Sequence, residues 1–283
     1  MTFMAKATTR KTPIRKKTAK KKQSFFSLKF IVISILIILF SFGIYHYRNA
    51  ILYYFSFKSD KVLKEDKVAQ ARIYQILNKY KDLTVGFDVS QYQGTIDWEQ
   101  IDSVENKFPL KFVLIRATAG NDKEDSQFDE NWKGAKQHHF IRGAYHYYRP
   151  NENSIEQAEN FIKTVKLRKG DLPPVLDIEQ LPEEQSIDSL KVGLKRWLKK
   201  VDAHYKVKPI IYTGERYYED FLKEEFKGYT FWIANYNFFV ENIEDDWAFW
   251  QFTEKATLKG INERVDLNIY NGTPKMLEYL TIN

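Results

Sequence analysis

The run Pro173-Pro174-Val175-Leu176-Asp177-Ile178-Glu179 reads as a short buried strand carrying two carboxylates. Alternate residues of a strand point the same way, so Asp177 and Glu179 share one face, with Cα atoms about 6.5 to 7 Å apart. On a solvated strand an Asp-x-Glu pair would mean little. Here the neighbours are apolar, and unpaired acids beside a core are expensive. Two such acids repel in a partly dry site. One is driven to hold its proton, as a general acid must, while the other stays ionised.

Similar β-rich runs flank this one, at residues 83–89, 112–117, 143–148, 209–213, 229–235 and 248–252. Between them, residues 129–139, 154–167, 187–205 and 217–226 have helical length and spacing. Strand and helix alternating at this rhythm predict an α/β fold with a mainly parallel sheet. About eight strands fit a closed TIM-like β/α barrel, with an open doubly wound sheet as the alternative. No Gly-x-Gly-x-x-Gly or phosphate loop follows any strand, which disfavours the open sheet and the usual nucleotide readings. In a barrel the chemistry sits where strands end. Asp88, Asp177, Glu179, Asn235 and Gln251 all fall at such ends.

The 283 residues suffice for one or two domains with a full hydrophobic core. The net charge of +7 is unevenly spread. Residues 1–58 hold twelve Lys/Arg and no acid, leaving 32 Lys/Arg against 37 Asp/Glu, a net −5, in the remainder. A body of that charge has no stripe for a phosphate backbone, so no nucleic-acid partner is expected. The absence of cysteine excludes disulfides, thiolate metal sites and cysteine nucleophiles.

Ten Lys/Arg between Lys6 and Lys29 precede an uncharged run at residues 30–47. Eighteen such residues are near the lower limit for a helix that crosses a bilayer. A cleavable signal peptide competes, but the run is longer than a usual apolar signal core and ends in Tyr45-His46-Tyr47-Arg48, with no small-x-small site. The sequence therefore predicts a basic cytoplasmic tail at 1–29, a single transmembrane helix at 30–47 that contacts the lipid bilayer, and a juxtamembrane stalk at 48–82. The barrel at 83–283 follows outside the cytoplasm. In the stalk, Val62, Val68, Ile73, Ile76, Leu77 and Tyr80 are spaced loosely like one helical face.

Aromatic residues make up 16% of the chain, and aromatic faces suit sugar stacking. Tyr92, Trp98, Tyr145, Tyr147, Tyr212, Trp232, Tyr236 and Trp250 are candidates, of which most would be core. His146 has no second histidine at ligand spacing, so no metal is expected. Ser90 lies outside a Gly-x-Ser-x-Gly elbow, which disfavours a serine hydrolase.

Several motifs fall in register along the chain. They are residues 86–98 (Gly-Phe-Asp-Val-Ser-Gln-Tyr-Gln-Gly-Thr-Ile-Asp-Trp), 112–120 (Phe-Val-Leu-Ile-Arg-Ala-Thr-Ala-Gly), and Asp125, Phe128, Asn131 and Ala135. Further on come 143–150 (Gly-Ala-Tyr-His-Tyr-Tyr-Arg-Pro), 174–179, Ile211-Tyr212, 232–236 (Trp-Ile-Ala-Asn-Tyr), 250–253 (Trp-Gln-Phe-Thr), Gly260-Ile261 and 265–268 (Val-Asp-Leu-Asn). Together these motifs resemble glycoside hydrolase family 25, the Chalaropsis-type lysozymes, and the resemblance covers residues 85–268. It implies a flattened barrel that cleaves the β-1,4 bond between N-acetylmuramic acid and N-acetylglucosamine in peptidoglycan, without a cofactor. Carried over by position, Glu179 would be the general acid/base and Asp177 would stabilise the charged intermediate. Asp88 and Asp266 would line the same cleft, ordering the site and binding sugar. From their own chemistry and their places at strand ends, Tyr145, Tyr147, Tyr212, Trp232, Asn235 and Gln251 are expected to bind substrate. Arg116 and Ala119 depart from the family's more common Lys and Glu, which bears on that corner of the cleft. Two other readings stand beside this one: a membrane-anchored wall-binding protein with a weakly active barrel, and a glycosidase on another 2-acetamido sugar polymer.

Overall fold

The computed structural model of the protein describes residues 25–56 and 67–283. Most of the basic tail, and the part of the expected stalk that holds Val62, lie outside the described residues. The chain divides into two units, Met1–Arg48 and Asn49–Asn283. The first holds helix α1 (Phe25–His46), whose Lys29–His46 stretch is long and apolar enough to cross a membrane. Its large apolar side chains from Phe30 to Tyr45, among them Ile33, Leu36 and Phe40, are exposed. Helix α2 (Arg48–Ser56) follows.

The second unit is an eight-stranded closed barrel: β1 (Thr84–Val89), β2 (Phe108–Ala119), β3 (Ile141–Tyr147), β4 (Val175–Asp177), β5 (Ile210–Gly214), β6 (Thr230–Ala234), β7 (Phe249–Ala256) and β8 (Val265–Tyr270). Neighbours from β1 to β7 are parallel. Strand β8 closes the ring, antiparallel to both β7 and β1. It is absent from the runs that read as strands, because Asp266 and Asn268 interrupt the apolar pattern. The expected strand at 174–179 shortens to three residues, although the Ile178 amide still donates to the Tyr212 carbonyl at 3.0 Å and keeps the chain extended toward Glu179. The expected helix at 217–226 is a short turn, Glu215–Tyr217, followed by one π-helical turn at Tyr218–Leu222.

Alternation along the strands separates two layers. In β2, Phe112 and Leu114 join Val175, Ile210, Tyr212, Trp232 and Phe249 inside the barrel. Val113 and Ile115 join the larger layer that meets the helices. Helices α4 (Phe128–Gln137), α5 (Ser154–Thr164) and α6 (Ile187–Tyr205) pack outside. On α6, Leu190, Leu194, Trp197, Leu198 and Val201 recur every three or four residues and are all buried. Another helix, α3 (Lys67–Lys79), lies in the segment expected as a stalk. Its Ile73, Ile76 and Leu77 are buried in the same outer layer as the barrel strands, while Val68 is exposed. The later half of that segment is therefore docked on the barrel.

Gly86 in β1 sits where the inner layer comes closest to the backbone. A Cβ there would lie 2.5 Å from the Phe112 carbonyl oxygen and 2.6 Å from its ring. Gly86→Ala should therefore overpack the barrel interior and cost about 1 to 3 kcal/mol. Thermal denaturation is expected to show a melting temperature lower by several degrees; an unchanged melt would mean that Phe112 moves aside freely.

Candidate active site

The rim at the C-terminal ends of the parallel strands collects the acids. Asp88 is the last residue but one of β1, Asp177 ends β4, and Glu179 follows two residues later. Because β8 runs the other way, its N-terminal end reaches the same rim, and Asp266 is the direct cross-strand partner of Asp88. All four carboxylates line one cleft of about 610 Å³, together with Tyr92, Arg116, Tyr145 and Tyr147.

Asp88 is held from below. Gln251 Nε2 and Asn268 Nδ2 each donate to its Oδ2 at 2.7 Å, and Gln251 Nε2 also reaches Asp266 Oδ2 at 3.4 Å. Gln251 and Asn268 are themselves cross-strand partners in β7 and β8. The Tyr212 hydroxyl donates to Gln251 Oε1 at 2.7 Å, and the Tyr236 hydroxyl donates to the same oxygen. Trp232 Nε1 donates to Asn268 Oδ1 at 2.7 Å. The two amides are thus fixed at both ends, which orients their N–H groups toward Asp88.

Loss of hydration sets the protonation of the rim. Burial pushes Asp88 up to about 7, although its hydrogen bonds from Asn268 and Gln251 favour the charged form. Burial, followed by the charges of Asp88 and Glu254, raises Asp266 to about 9. Asp177, buried at 3% exposure, is held well above the usual carboxylate range by burial and then by Glu179. Glu179 is also raised by desolvation, but it stands at the solvent-facing mouth. The sequence predicts that one acid of this pair holds its proton while the other stays ionised. Burial raises both Asp177 and Glu179, and Asp177 is the deeper of the two.

The expected substrate-binding residues separate into two groups. Tyr145 and Tyr147 line the cleft. Tyr212, Trp232, Asn235 and Gln251 are buried and outside the cleft lining, and they form its support. Trp232, at 1% exposure, packs with Tyr212 at a ring separation of 4.2 Å and offers no free face to a sugar. Asn235 Nδ2 donates to Glu215. The exposed aromatic wall is instead Tyr92, whose ring lies 4.7 Å from the Arg116 guanidinium, itself paired with Asp125 at 2.7 Å. Asn268 escaped the sequence reading. Its signal was its position two residues after Asp266, which puts both side chains on one strand face.

His146 is fully buried, with Nδ1 2.7 Å from Thr118 Oγ1 and Nε2 3.1 Å from Gln157 Oε1. Burial lowers its pKa to about 3, so it is a neutral structural residue. Among the described residues no group of three or more His, Asp or Glu side chains is placed to hold a metal ion.

A family model described as Glycosyl hydrolases family 25 matches residues 87–261, more than half of the chain. The chain belongs to this family. Uncharacterized protein YegX of Escherichia coli (strain K12) is 36% identical over 197 residues, 68% of this chain and 71% of YegX. Lysozyme M1 of Streptomyces globisporus is 30% identical over 214 residues, 70% of this chain and 71% of that protein. Among solved structures, a family 25 glycosyl hydrolase from Bacillus anthracis is similar with a TM-score of 0.63 at 30% identity, over 70% of this chain and 94% of that one. The protein is a glycoside hydrolase with the family 25 barrel.

The raised acids fix the direction of a pH effect on stability. A group with a folded pKa above its unfolded value stabilises fully below the unfolded pKa, and that stabilisation is lost as pH rises through the folded pKa. For Asp266 the window runs from its ordinary value of 3.8 to about 9. Asp266→Asn should therefore gain melting temperature relative to the parent protein as pH rises from 4 to 9. Melting curves that shift in parallel for the two proteins over that range would contradict the raised value.

Proposed function

We propose that the protein is a membrane-anchored lysozyme that cleaves the β-1,4 bond between N-acetylmuramic acid and N-acetylglucosamine in peptidoglycan. The observation that carries this is the meeting of Asp177 and Glu179 on one rim, in one cleft with Asp88 and Asp266, in a chain of family 25. Glu179, at the solvent-facing mouth, donates a proton to the leaving glycosidic oxygen. Asp177 sits deeper, and its Oδ1 is a buried acceptor without a hydrogen-bond partner among the described residues. An acetamido N–H on the sugar fits that acceptor, so Asp177 orients the acetamido carbonyl toward the anomeric carbon. As the glycosidic bond breaks, the acetamido oxygen closes on the anomeric carbon, the ionised form of Asp177 becomes the favoured one beside the positive ring, and the proton held by the pair passes through Glu179 to the departing sugar; a water that gives its proton back to Glu179 then adds to the anomeric carbon and releases the acetamido group. Asp88 and Asp266 order the cleft and bind sugar hydroxyls, while Tyr145, Tyr147 and Tyr92 supply its aromatic walls.

Glu179→Gln keeps the shape of the side chain and removes the proton donor. Turnover on purified peptidoglycan should fall by about 100-fold to 10,000-fold while glycan binding persists. Near-normal turnover would move the donor role to Asp88, Asp177 or Asp266.

The anchor reading rests on the composition of α1, on the Lys/Arg before it and on the bulky residues at the end of the run, which suit an uncleaved helix better than a cleaved leader. The basic tail then stays in the cytoplasm and the barrel outside. A reporter enzyme active only outside the cytoplasm should work when fused after Asn283. Activity of a cytoplasm-only reporter at the same place would overturn the topology.

A further inference from the structure

Helix α3 precedes residue 87, where the family match begins, yet it is hydrogen-bonded to the loops that support the rim. The central group is Arg72, which is 8% exposed. Its Nη1 donates to the Phe252 carbonyl at 2.6 Å, and its Nη2 donates to the carbonyls of Asn237 at 2.8 Å and Val240 at 3.2 Å. Its Nε reaches the Phe238 carbonyl at 3.4 Å. Burying a guanidinium is costly, and four charge-assisted bonds from one planar fork offset that cost in a way a point charge could not.

The recipients of these bonds matter more than their number. Asn237 and Phe238 directly follow Tyr236, and Phe252 directly follows Gln251. Tyr236 and Gln251 are hydrogen-bonded to each other, and Gln251 donates to Asp88. The two segments are further joined by the Asn235 amide, which donates to the Gln251 carbonyl at 3.0 Å, and by Trp250 Nε1, which donates to the Asn235 carbonyl at 3.1 Å. Arg72 spans both segments from outside the barrel. Around it the same helix grips the rest of the loop. Gln75 donates to Glu241 Oε1 at 3.0 Å, Lys79 to the Glu241 carbonyl at 2.9 Å, and the Tyr80 hydroxyl, just beyond the helix, to that carbonyl at 3.0 Å.

We propose that Arg72 is a positioning residue for the acid site: from α3 it staples the segments that carry Tyr236 and Gln251, and so holds the hydrogen bonds that reach Asp88. The catalytic unit then begins at α3, ahead of the family-matched barrel. This inference rests on the reading of Asp88 as part of the acid site.

The test uses the full-length chain in detergent, as wild type, Arg72→Met, Arg72→Lys and, as a control for lost stability alone, Leu190→Ala on α6. Peptidoglycan turnover is measured where each variant is folded, alongside hydrogen exchange read by mass spectrometry over residues 235–240 and 249–253. Arg72→Met is expected to lower kcat about 10-fold to 100-fold with KM nearly unchanged, the scale of a small misplacement in a catalytic site, and to speed exchange in both segments. Arg72→Lys should restore part of kcat, whereas Leu190→Ala should leave kcat and exchange in these segments near wild type. A wild-type kcat in Arg72→Met, or a loss no larger than that of an equally destabilised Leu190→Ala, would overturn the proposal. If the wild type does not cleave peptidoglycan, the lysozyme reading falls, and exchange alone decides the staple: faster exchange in both segments of Arg72→Met supports it, and unchanged exchange overturns it.

Discussion

The antiparallel closure of the barrel by β8 is the constraint on which the site depends. The seven parallel strands bring Asp88, Asp177 and the approach to Glu179 to one rim. The eighth strand, entering from the opposite direction, sets Asp266 against Asp88 and Asn268 beside Gln251. An all-parallel barrel would present the other end of β8 at that rim, and Asp88 would lose one of its two amide donors. The acid cluster thus follows from the direction of one strand as much as from the residues on it.

A second consequence is a division of labour by depth. Phe112, Leu114, Val175, Ile210, Trp232 and Phe249 fill the barrel and exclude water from beneath the acids. Above them, a layer of polar side chains is almost fully hydrogen-bonded: Tyr212 and Tyr236 to Gln251, Trp232 to Asn268, and both amides to Asp88. The carboxylates sit at the boundary between this dry layer and the open cleft, where desolvation raises their pKa values while substrate can still reach them. Tyr145 and Tyr147 alternate with the buried His146 and Tyr148, so one strand serves both the cleft and the helical layer.

The alternating runs made the α/β barrel legible in the sequence, and period two made the shared face of Asp177 and Glu179 legible. Strand β8 was hidden because its inward residues are the polar groups of the site, which break the apolar rhythm that marks a strand. Asp266 accordingly entered only through family resemblance. Trp232 and Gln251 were recognised as belonging to the site region, but their depth was invisible: strand parity tells which way a side chain points, not how much of the barrel lies above it. The docking of α3 was hidden for a related reason. Its apolar face is short, and the contacts that hold it are donated largely to backbone carbonyls, which leave no mark in a sequence.

The proposed chemistry has the rim carboxylates act on one bond of the glycan strand. Mass spectrometry of the fragments released from purified peptidoglycan reads that bond directly through the sugar at the new reducing end. N-acetylmuramic acid is expected at that end. N-acetylglucosamine there would contradict it.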